Sequence, residues 1–141
     1  MKEGIPLRVK LSAVSRGGRW QGALPVAEMT RLAGCLAAAS GAADAWFALR
    51  RDAEGAFWLE GEIRGVLPLL CQRCLEIFDW RFALDTALRL VGSEAEERRL
   101  LHDCEPYLVT DDELRLRELA EDELLLALPL APRCPRCAAP G

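Results

Sequence analysis

Hydrophobic and polar residues alternate along much of the chain, with the period of two that is typical of a half-buried β-strand. In 75–91, for example, Phe78, Trp80 and Phe82 fall on one face and charged residues fall on the other. Turn residues, glycine above all, separate the alternating stretches. The pattern therefore predicts a set of strands, of which the last three form an antiparallel meander. The predicted strands are 5–14, 20–25, 44–52, 56–70 and 75–91.

Two other stretches repeat their apolar residues with the spacing of a helix. The first, 25–40, opens on Pro25, a favoured first helical residue, and Gly41 follows it as a stop. The second, 109–129, carries a stripe of leucine and alanine that ends at a proline, although its beginning, 112–116, alternatively enters as a short extended piece. These stretches predict two main helices.

Two segments lie outside this pattern. In the charged connector after the meander, Ser93 and Glu96 have the spacing of a capping box, which predicts the start of a short helix. The tail, 129–141, is rich in proline and is predicted to be non-helical.

The elements together predict an α+β fold with an antiparallel meander sheet and two main helices, in a single domain over 1–141. Trp58, Trp80 and Phe82 either pack in the core of the sheet or present a stacking surface for nucleic-acid bases. The core is the favoured prediction for these three aromatic residues.

Composition narrows the class of protein. The 141 residues are 51% hydrophobic, which suits a folded domain. No apolar run is long enough to span a bilayer, and the first residues lack the apolar centre of a signal peptide. The sequence therefore predicts a cytoplasmic protein with no membrane partner.

The charge distribution argues against a domain that tracks nucleic-acid phosphates along its whole surface. The formal net charge is -4, and the acidic excess is concentrated after residue 81. We expect any contact with RNA to be local and to involve arginine, and the acidic half suits a protein partner with a basic surface. The arginines that could make the local contact are Arg16, Arg19, Arg50, Arg51 and Arg73.

The cysteines carry the clearest candidate chemistry. Cys71 and Cys74 form one Cys-x-x-Cys pair, and Cys134 and Cys137 form another. Two residues between thiolates allow a tight turn to direct both sulfurs at one ion, and two such turns complete a tetrahedral zinc site. The 59 intervening residues make closure cost about 3.6 kcal/mol, which zinc binding of roughly 10 to 16 kcal/mol can offset.

Three alternatives remain open for these pairs. The same ligands also suit iron, and a single pair suits thiol redox chemistry, although a redox cysteine belongs at a helix N-terminus and Cys71 lies between strands. In the third alternative the tail is too flexible to fold back, and both pairs stay free of metal. Cys35 and Cys104 have no paired cysteine and are predicted to be packing residues.

The remaining polar residues form no catalytic constellation. His102 has no nucleophile motif beside it. The acidic cluster on the second helix lacks the histidine partner of a carboxylate metal site, and it consists of Glu118, Glu121, Asp122 and Glu123. This cluster is predicted to be a solvated face or a docking surface. We therefore expect no enzymatic activity and no small-molecule substrate.

Two segments together resemble a known family. GEIRGVLPLLCQRCLEIFDWRF and the later LAEDELLLALPLAPRC are similar to the signature of the bacterial large ribosomal RNA subunit accumulation protein family, or YceD family, and the N-terminal region is similar as well. The resemblance implies a non-enzymatic factor that supports accumulation of 23S rRNA and assembly of the large ribosomal subunit.

The resemblance also bears on the ligands. The family pairs its central Cys-x-x-Cys, here Cys71 and Cys74, with a histidine and a later cysteine, and Cys134 and Cys137 stand in those places here. Because cysteine keeps the ligand chemistry of histidine for zinc, a structural zinc site is expected. Family members commonly continue past the point at which this sequence ends, so a partner contact made by that extension would have to be made differently.

The expected partners are a ribosomal protein, 23S rRNA of the large-subunit precursor, or both. The candidate contact residues are Arg73 and Arg136 within the two Cys-x-x-Cys pairs, together with Arg16 and Arg19. An alternative is a pure protein-interaction module that binds a ribosomal protein through the acidic helix 117–128. The sequence leaves the oligomeric state open.

Overall fold

The computed structural model describes residues 4–14 and 16–138. Most of its secondary structure is β-strand, with four short to medium α-helices. The strands are β1 (Val9–Lys10), β2 (Gly18–Pro25), β3 (Ala42–Arg51), β4 (Phe57–Leu70), β5 (Ile77–Val91), β6 (Pro106–Leu108) and β7 (Glu113–Leu114). The α-helices are α1 (Thr30–Ala33), α2 (Glu94–Leu100), α3 (Leu116–Ala127) and α4 (Pro135–Ala138), and 3-10 turns span Leu11–Val14 and Val26–Glu28.

The main sheet has five strands in the order β2-β3-β4-β5-β6. β2 to β5 pair antiparallel with their neighbours in sequence, which confirms the predicted meander. The register of the longest hairpin runs from Trp58 opposite Arg89 to Leu70 opposite Ile77. β4 and β5 thus extend beyond β3 as a two-stranded arm, whose loop carries the first cysteine pair.

The α+β class with a mostly antiparallel sheet is confirmed, because α3, α1 and the 3-10 turn at Val26–Glu28 pack residues into the core on one face of this sheet. The inner face of β4 presents Leu59, Ile63 and Leu67, each with no exposed surface. Leu119 and Leu124 of α3 pack in the same buried cluster. The alternation predicted for β4 and β5 is therefore the alternation of core and solvent.

Three predicted elements are wrong in extent. The strand over 5–14 shrinks to β1, because a 3-10 turn follows it and Leu7 is 59% exposed. The helix over 25–40 contains one 3-10 turn and the four-residue α1, because an interrupted apolar stripe with Gly34 cannot sustain a longer helix. The tail is not free of helix either, since α4 begins at Pro135 in the position where proline is tolerated.

Two finer predictions are confirmed, and one strand is new. The hydroxyl of Ser93 accepts a hydrogen bond from the Glu96 N–H and caps α2. The extended piece before the second helix exists as β7, which pairs with β1. β6 lies in the charged connector and pairs parallel with β5, with Arg89 opposite Pro106. Within the described ranges, no helix is long and apolar enough to cross a membrane.

A buried carboxylate connects α3 to α1. Glu121 is 8% exposed, and its carboxylate accepts a 2.9 Å hydrogen bond from the Leu32 N–H in the first turn of α1. Arg31 lies 3.3 Å from the same carboxylate and 2.8 Å from Asp122. The first turn of α1 offers no side chain of its own to its free N–H groups, so Glu121 takes that role.

We expect Glu121→Ala to lower the free energy of unfolding by roughly 1 to 3 kcal/mol, because a buried N–H loses its acceptor. Urea unfolding followed by circular dichroism measures this change. Glu118→Ala is the matched control on the same helix, since Glu118 is exposed and lies 3.8 Å from Arg115 at its closest. Equal losses in the two variants would contradict the assigned role of Glu121.

Candidate metal centre

The loop between β4 and β5 holds Cys71 and Cys74 in a tight turn. The Leu75 N–H donates to the Cys71 carbonyl at 2.9 Å, and the Cys71 N–H donates to the Glu76 carbonyl at 2.9 Å. The Cys74 N–H lies 3.5 Å from the Cys71 sulfur and donates to it. Leu75 reverses the chain with a φ of 64°, in the left-handed region that usually requires glycine. The backbone of this turn therefore fixes the positions of Cys71 and Cys74 relative to each other.

The tail brings the second pair to this loop. After α3 ends, residues 128–133 run to the arm, and the Gln72 N–H donates to the Pro132 carbonyl at 2.8 Å. Cys134 precedes α4, and the N–H groups of Cys137 and Ala138 donate to its carbonyl. The predicted folding back of the tail is seen through residue 138, whereas 139–141 lie outside the described residues.

The four sulfurs of Cys71, Cys74, Cys134 and Cys137 lie within 4.8 Å of one another. The Cys74 and Cys134 sulfurs are 3.8 Å apart. A tetrahedral ion with four bonds of about 2.3 Å requires about 3.8 Å between neighbouring sulfurs, so this distance fits one tetrahedral ion. Cys71 and Cys134 are buried, at 0% and 8% exposure, and the other two are partly exposed. The donor set could therefore hold one tetrahedral metal ion.

The pKa values of two cluster thiols are shifted in opposite directions. Hydrogen bonds from backbone N–H groups, first that of Cys74 and then that of Cys134, lower the pKa of the Cys71 thiol to about 5. The pKa of Cys137 is raised to about 12, chiefly by its hydrogen bond with the Cys134 side chain. Neighbouring sulfurs cannot all be negative without a counter-charge, and a divalent cation supplies that counter-charge.

Arg136 lies close to the cluster. Its guanidinium is 3.8 Å from the Glu76 carboxylate, so the pair links the tail to the arm across an exposed surface. The pKa of Arg136 is raised, first by a hydrogen bond to the Cys74 side chain and then by the nearby negative charges. Four thiolates around a divalent ion would keep two negative charges, and Arg136 is placed to offset part of them.

The arginines predicted as contact residues fall into two groups. Arg73 and Arg136 are exposed at the loop end of the arm. Arg16 and Arg19 lie at the opposite end of the sheet, where Arg19 is opposite Ala48 in β3. The 14 residues of β4 put about 45 Å between these ends. The four arginines therefore do not form one surface.

The predicted core role holds for two of the three aromatic residues. Phe82 is 8% exposed, and Trp80 packs against the core with its ring centroid 4.8 Å from that of Phe82. Trp58 lies on the outer face of the sheet instead, where its indole N–H donates to Asp52. The guanidinium of Arg50 is 5.4 Å from the Trp58 ring centroid.

The two cysteines outside the cluster differ in their burial. Cys104 is partly buried, and its thiol lies 3.7 Å from the Leu100 carbonyl, whereas Cys35 is exposed, so the predicted packing role is wrong for Cys35. Leu75 is a feature that sequence reasoning missed. The sequence carries no signal for it, because leucine, unlike glycine, does not favour the left-handed region.

Comparison with protein-family models gives a match. The model of the family described as "Large ribosomal RNA subunit accumulation protein YceD" matches residues 59–141, which include all four clustered cysteines. No curated protein matches the chain. No solved structure matches it either.

Proposed function

Because the chain belongs to the large ribosomal RNA subunit accumulation protein YceD family, we propose that it supports accumulation of 23S rRNA during assembly of the large ribosomal subunit. The match over residues 59–141 is the observation that carries this proposal. The protein acts by binding rather than by catalysis, and its partner is 23S rRNA, a ribosomal protein, or both.

We further propose that the four-cysteine cluster holds a structural zinc ion. Bound there, zinc supplies a cross-link between the β4–β5 loop and the tail. Cys71 and Cys74 present one half of the ligand set from the β4–β5 hairpin, and Cys134 and Cys137 present the other half from the start of α4. The separation of 3.8 Å between the Cys74 and Cys134 sulfurs supports a tetrahedral ion with bonds of about 2.3 Å, the length that zinc forms with thiolates.

Binding of a basic protein through the acidic helix is the weaker candidate. The carboxylates of α3 are largely engaged within the fold, since Glu121 accepts from the Leu32 N–H and Asp122 pairs with Arg31. Glu123 accepts a hydrogen bond from the Thr86 hydroxyl. Of the acidic residues on this helix, Glu118 remains exposed with the loosest pairing. The predicted solvated acidic face is wrong for the buried Glu121.

A thiol redox function is also weaker than metal binding. The lowered pKa of Cys71 favours a thiolate, but the residue has no exposed surface from which that thiolate could attack a substrate. A redox pair needs two sulfurs, whereas four converge here. Thiol titration separates the two functions, because metal ligation protects four cysteines until a chelator is added.

We expect deletion of the gene to lower the ratio of 23S to 16S rRNA and to reduce large subunits in a ribosome profile. Expression of the wild-type chain should restore both quantities. An unchanged rRNA ratio together with an unchanged subunit profile would refute the proposed function.

A further inference from the structure

One edge of the main sheet is open along most of β5. Because β6 pairs with β5 only from Arg89 to Val91, the run from Ile77 to Ala87 has a neighbouring strand on one side alone. The Arg89 N–H donates to the Glu105 carbonyl on the β6 side. Backbone groups of alternate residues point to the same side of a strand, so those of the odd-numbered residues in this run point outward. Within 4–14 and 16–138, none of these groups has a backbone hydrogen bond on that side. We call this run the open edge.

The open edge lacks several features that commonly keep sheet edges from pairing. The register of β5 with β4 is unbroken along the whole run, so there is no bulge, and the sequence of the run contains no proline, glycine or lysine. The opposite edge of the sheet, along β2, ends at Pro25, which has no N–H to offer to another strand. An edge of this length that is left unprotected is a template for a further strand.

The charges of the open edge make it complementary to a second copy of itself. Asp79 and Arg81 are exposed, and neither has an oppositely charged group within 4.0 Å in the part of the chain that the structure describes. Two copies related by a two-fold axis pair antiparallel, and their outward backbone groups meet when odd-numbered residues lie opposite odd-numbered residues. An axis at Trp80 then places Asp79 opposite the partner's Arg81 and Arg81 opposite the partner's Asp79. Opposite charges directly across two strands stabilise their pairing.

The neighbouring registers are less favourable. An axis one residue earlier or later places Asp79 or Arg81 opposite its own copy, and like charges repel. An axis two residues later places Asp79 opposite the partner's Asp85. An axis at Ala83 matches Arg81 with the partner's Asp85, but it brings the partner's β4–β5 loop against residues 90 and 91, which are already paired with β6. The charges therefore select the axis at Trp80.

From these observations we infer that β5 pairs with β5 of a second copy of the chain, antiparallel and about an axis at Trp80. The odd-numbered residues from Ile77 to Ala83 exchange backbone hydrogen bonds with the partner, and the two sheets become one. On the inner face, Phe78 lies opposite the partner's Phe82, and the two Trp80 side chains are direct neighbours. Phe78 and Trp80 are only partly buried in the single chain, so pairing covers aromatic surface as well as backbone.

Analytical ultracentrifugation of the full chain tests this inference. The wild type should sediment with twice the mass of one chain at micromolar concentration. Arg81→Asp places carboxylates opposite each other on both sides of the axis and should raise the dissociation constant of the dimer about tenfold. Combining it with Asp79→Arg exchanges the two charges and should restore the wild-type constant. Arg19→Asp is the matched control, because Arg19 is an exposed arginine of β2 at the opposite edge of the sheet, and it should leave the constant unchanged.

Hydrogen exchange locates the interface independently. The backbone amides of 77–83 should exchange more slowly at concentrations at which the chain is dimeric than after dilution. The amides of β2 should exchange at the same rate at both concentrations. Circular dichroism should show the same strand signal in the wild type and in every charge variant, because the substituted side chains are exposed.

A wild-type chain that is monomeric at about 0.1 mM would overturn the inference. A dimer that Arg81→Asp does not weaken, or that the exchange of charges does not restore, would place the contact elsewhere and would overturn it as well. Protection of 77–83 in a monomer by an added RNA oligonucleotide would assign the open edge to RNA and exclude the dimer. The proposed function stands in each of these cases, because it rests on the family match.

Discussion

Replacement of Cys71 by serine should abolish tight zinc binding and release the tail, while the five-stranded sheet stays folded. Loss of one of four thiolates removes a direct ligand, and even changes outside the ligand set lower metal affinity by about 10- to 100-fold. The sheet survives because the main hydrophobic cluster consists of residues before position 125, with none of the four cysteines among them. The tail is expected to detach from the arm, because the remaining contacts between them include one backbone hydrogen bond and an exposed ion pair, which contribute little stability.

Two measurements check this prediction. Elemental analysis of the purified wild-type chain should give one zinc per chain, and Cys71→Ser and Cys134→Ser should each give none. Limited digestion with trypsin should then cleave after Arg133 and Arg136 in the variants and in chelator-treated wild type, but slowly in the zinc-loaded wild type. Circular dichroism should show that the strand signal is retained in every case.

Cys35→Ser is the matched control, because it removes an exposed thiol outside the cluster. It should retain full zinc content and the wild-type digestion pattern. A wild-type chain that is fully folded and contains no metal would end the zinc proposal, and iron in place of zinc would change the identity of the ion but not the ligand set.

The ligand set was predictable from sequence because its geometry is local. Two residues between cysteines impose a turn, whatever the rest of the chain does. Closure of the 59-residue loop was less predictable, since the cost of about 3.6 kcal/mol assumes a flexible chain. In the folded protein, α3 packs against the core and ends at Ala127, so only 128–133 must cross to the arm. The fold meets most of that cost before any metal binds.

The elements that the sequence missed depend on contacts with distant residues. β6 has three residues, too few to show a period, and it forms because β5 offers a free edge for parallel pairing. α1 is short despite its apolar pattern, and its first turn depends on Glu121, which is 89 residues from Leu32. Long strands such as β4 and β5 were predicted well because alternation over many residues reports burial directly.

The other large effect is expected in the middle of the sheet, where Gly61→Ala should strongly destabilise the protein. Gly61 lies on the inner face of β4, opposite Phe47 in β3 and Thr86 in β5. A Cβ at this position would collide with the Trp46 carbonyl oxygen and lie 2.6 Å from Cδ1 of Phe47, whose side chain is fully buried. A side-chain rotation cannot relieve contact with a backbone atom, so β3 and β4 must move apart or the ring of Phe47 must leave its place in the core.

We expect Gly61→Ala to lower the free energy of unfolding by about 3 kcal/mol, at the upper end for overpacked cores, and to lower the Tm by roughly 10 °C. Gly92→Ala is the matched control, since a Cβ there meets nothing within 4 Å and the residue has no positive φ. That control should be neutral or stabilise the fold slightly, because alanine restricts the unfolded chain more than glycine does. Differential scanning calorimetry of both variants in the zinc-loaded state measures the two Tm values that are compared. Similar Tm values for the two would mean that β3 and β4 can separate without cost, and that Phe47 does not require a glycine beneath its ring.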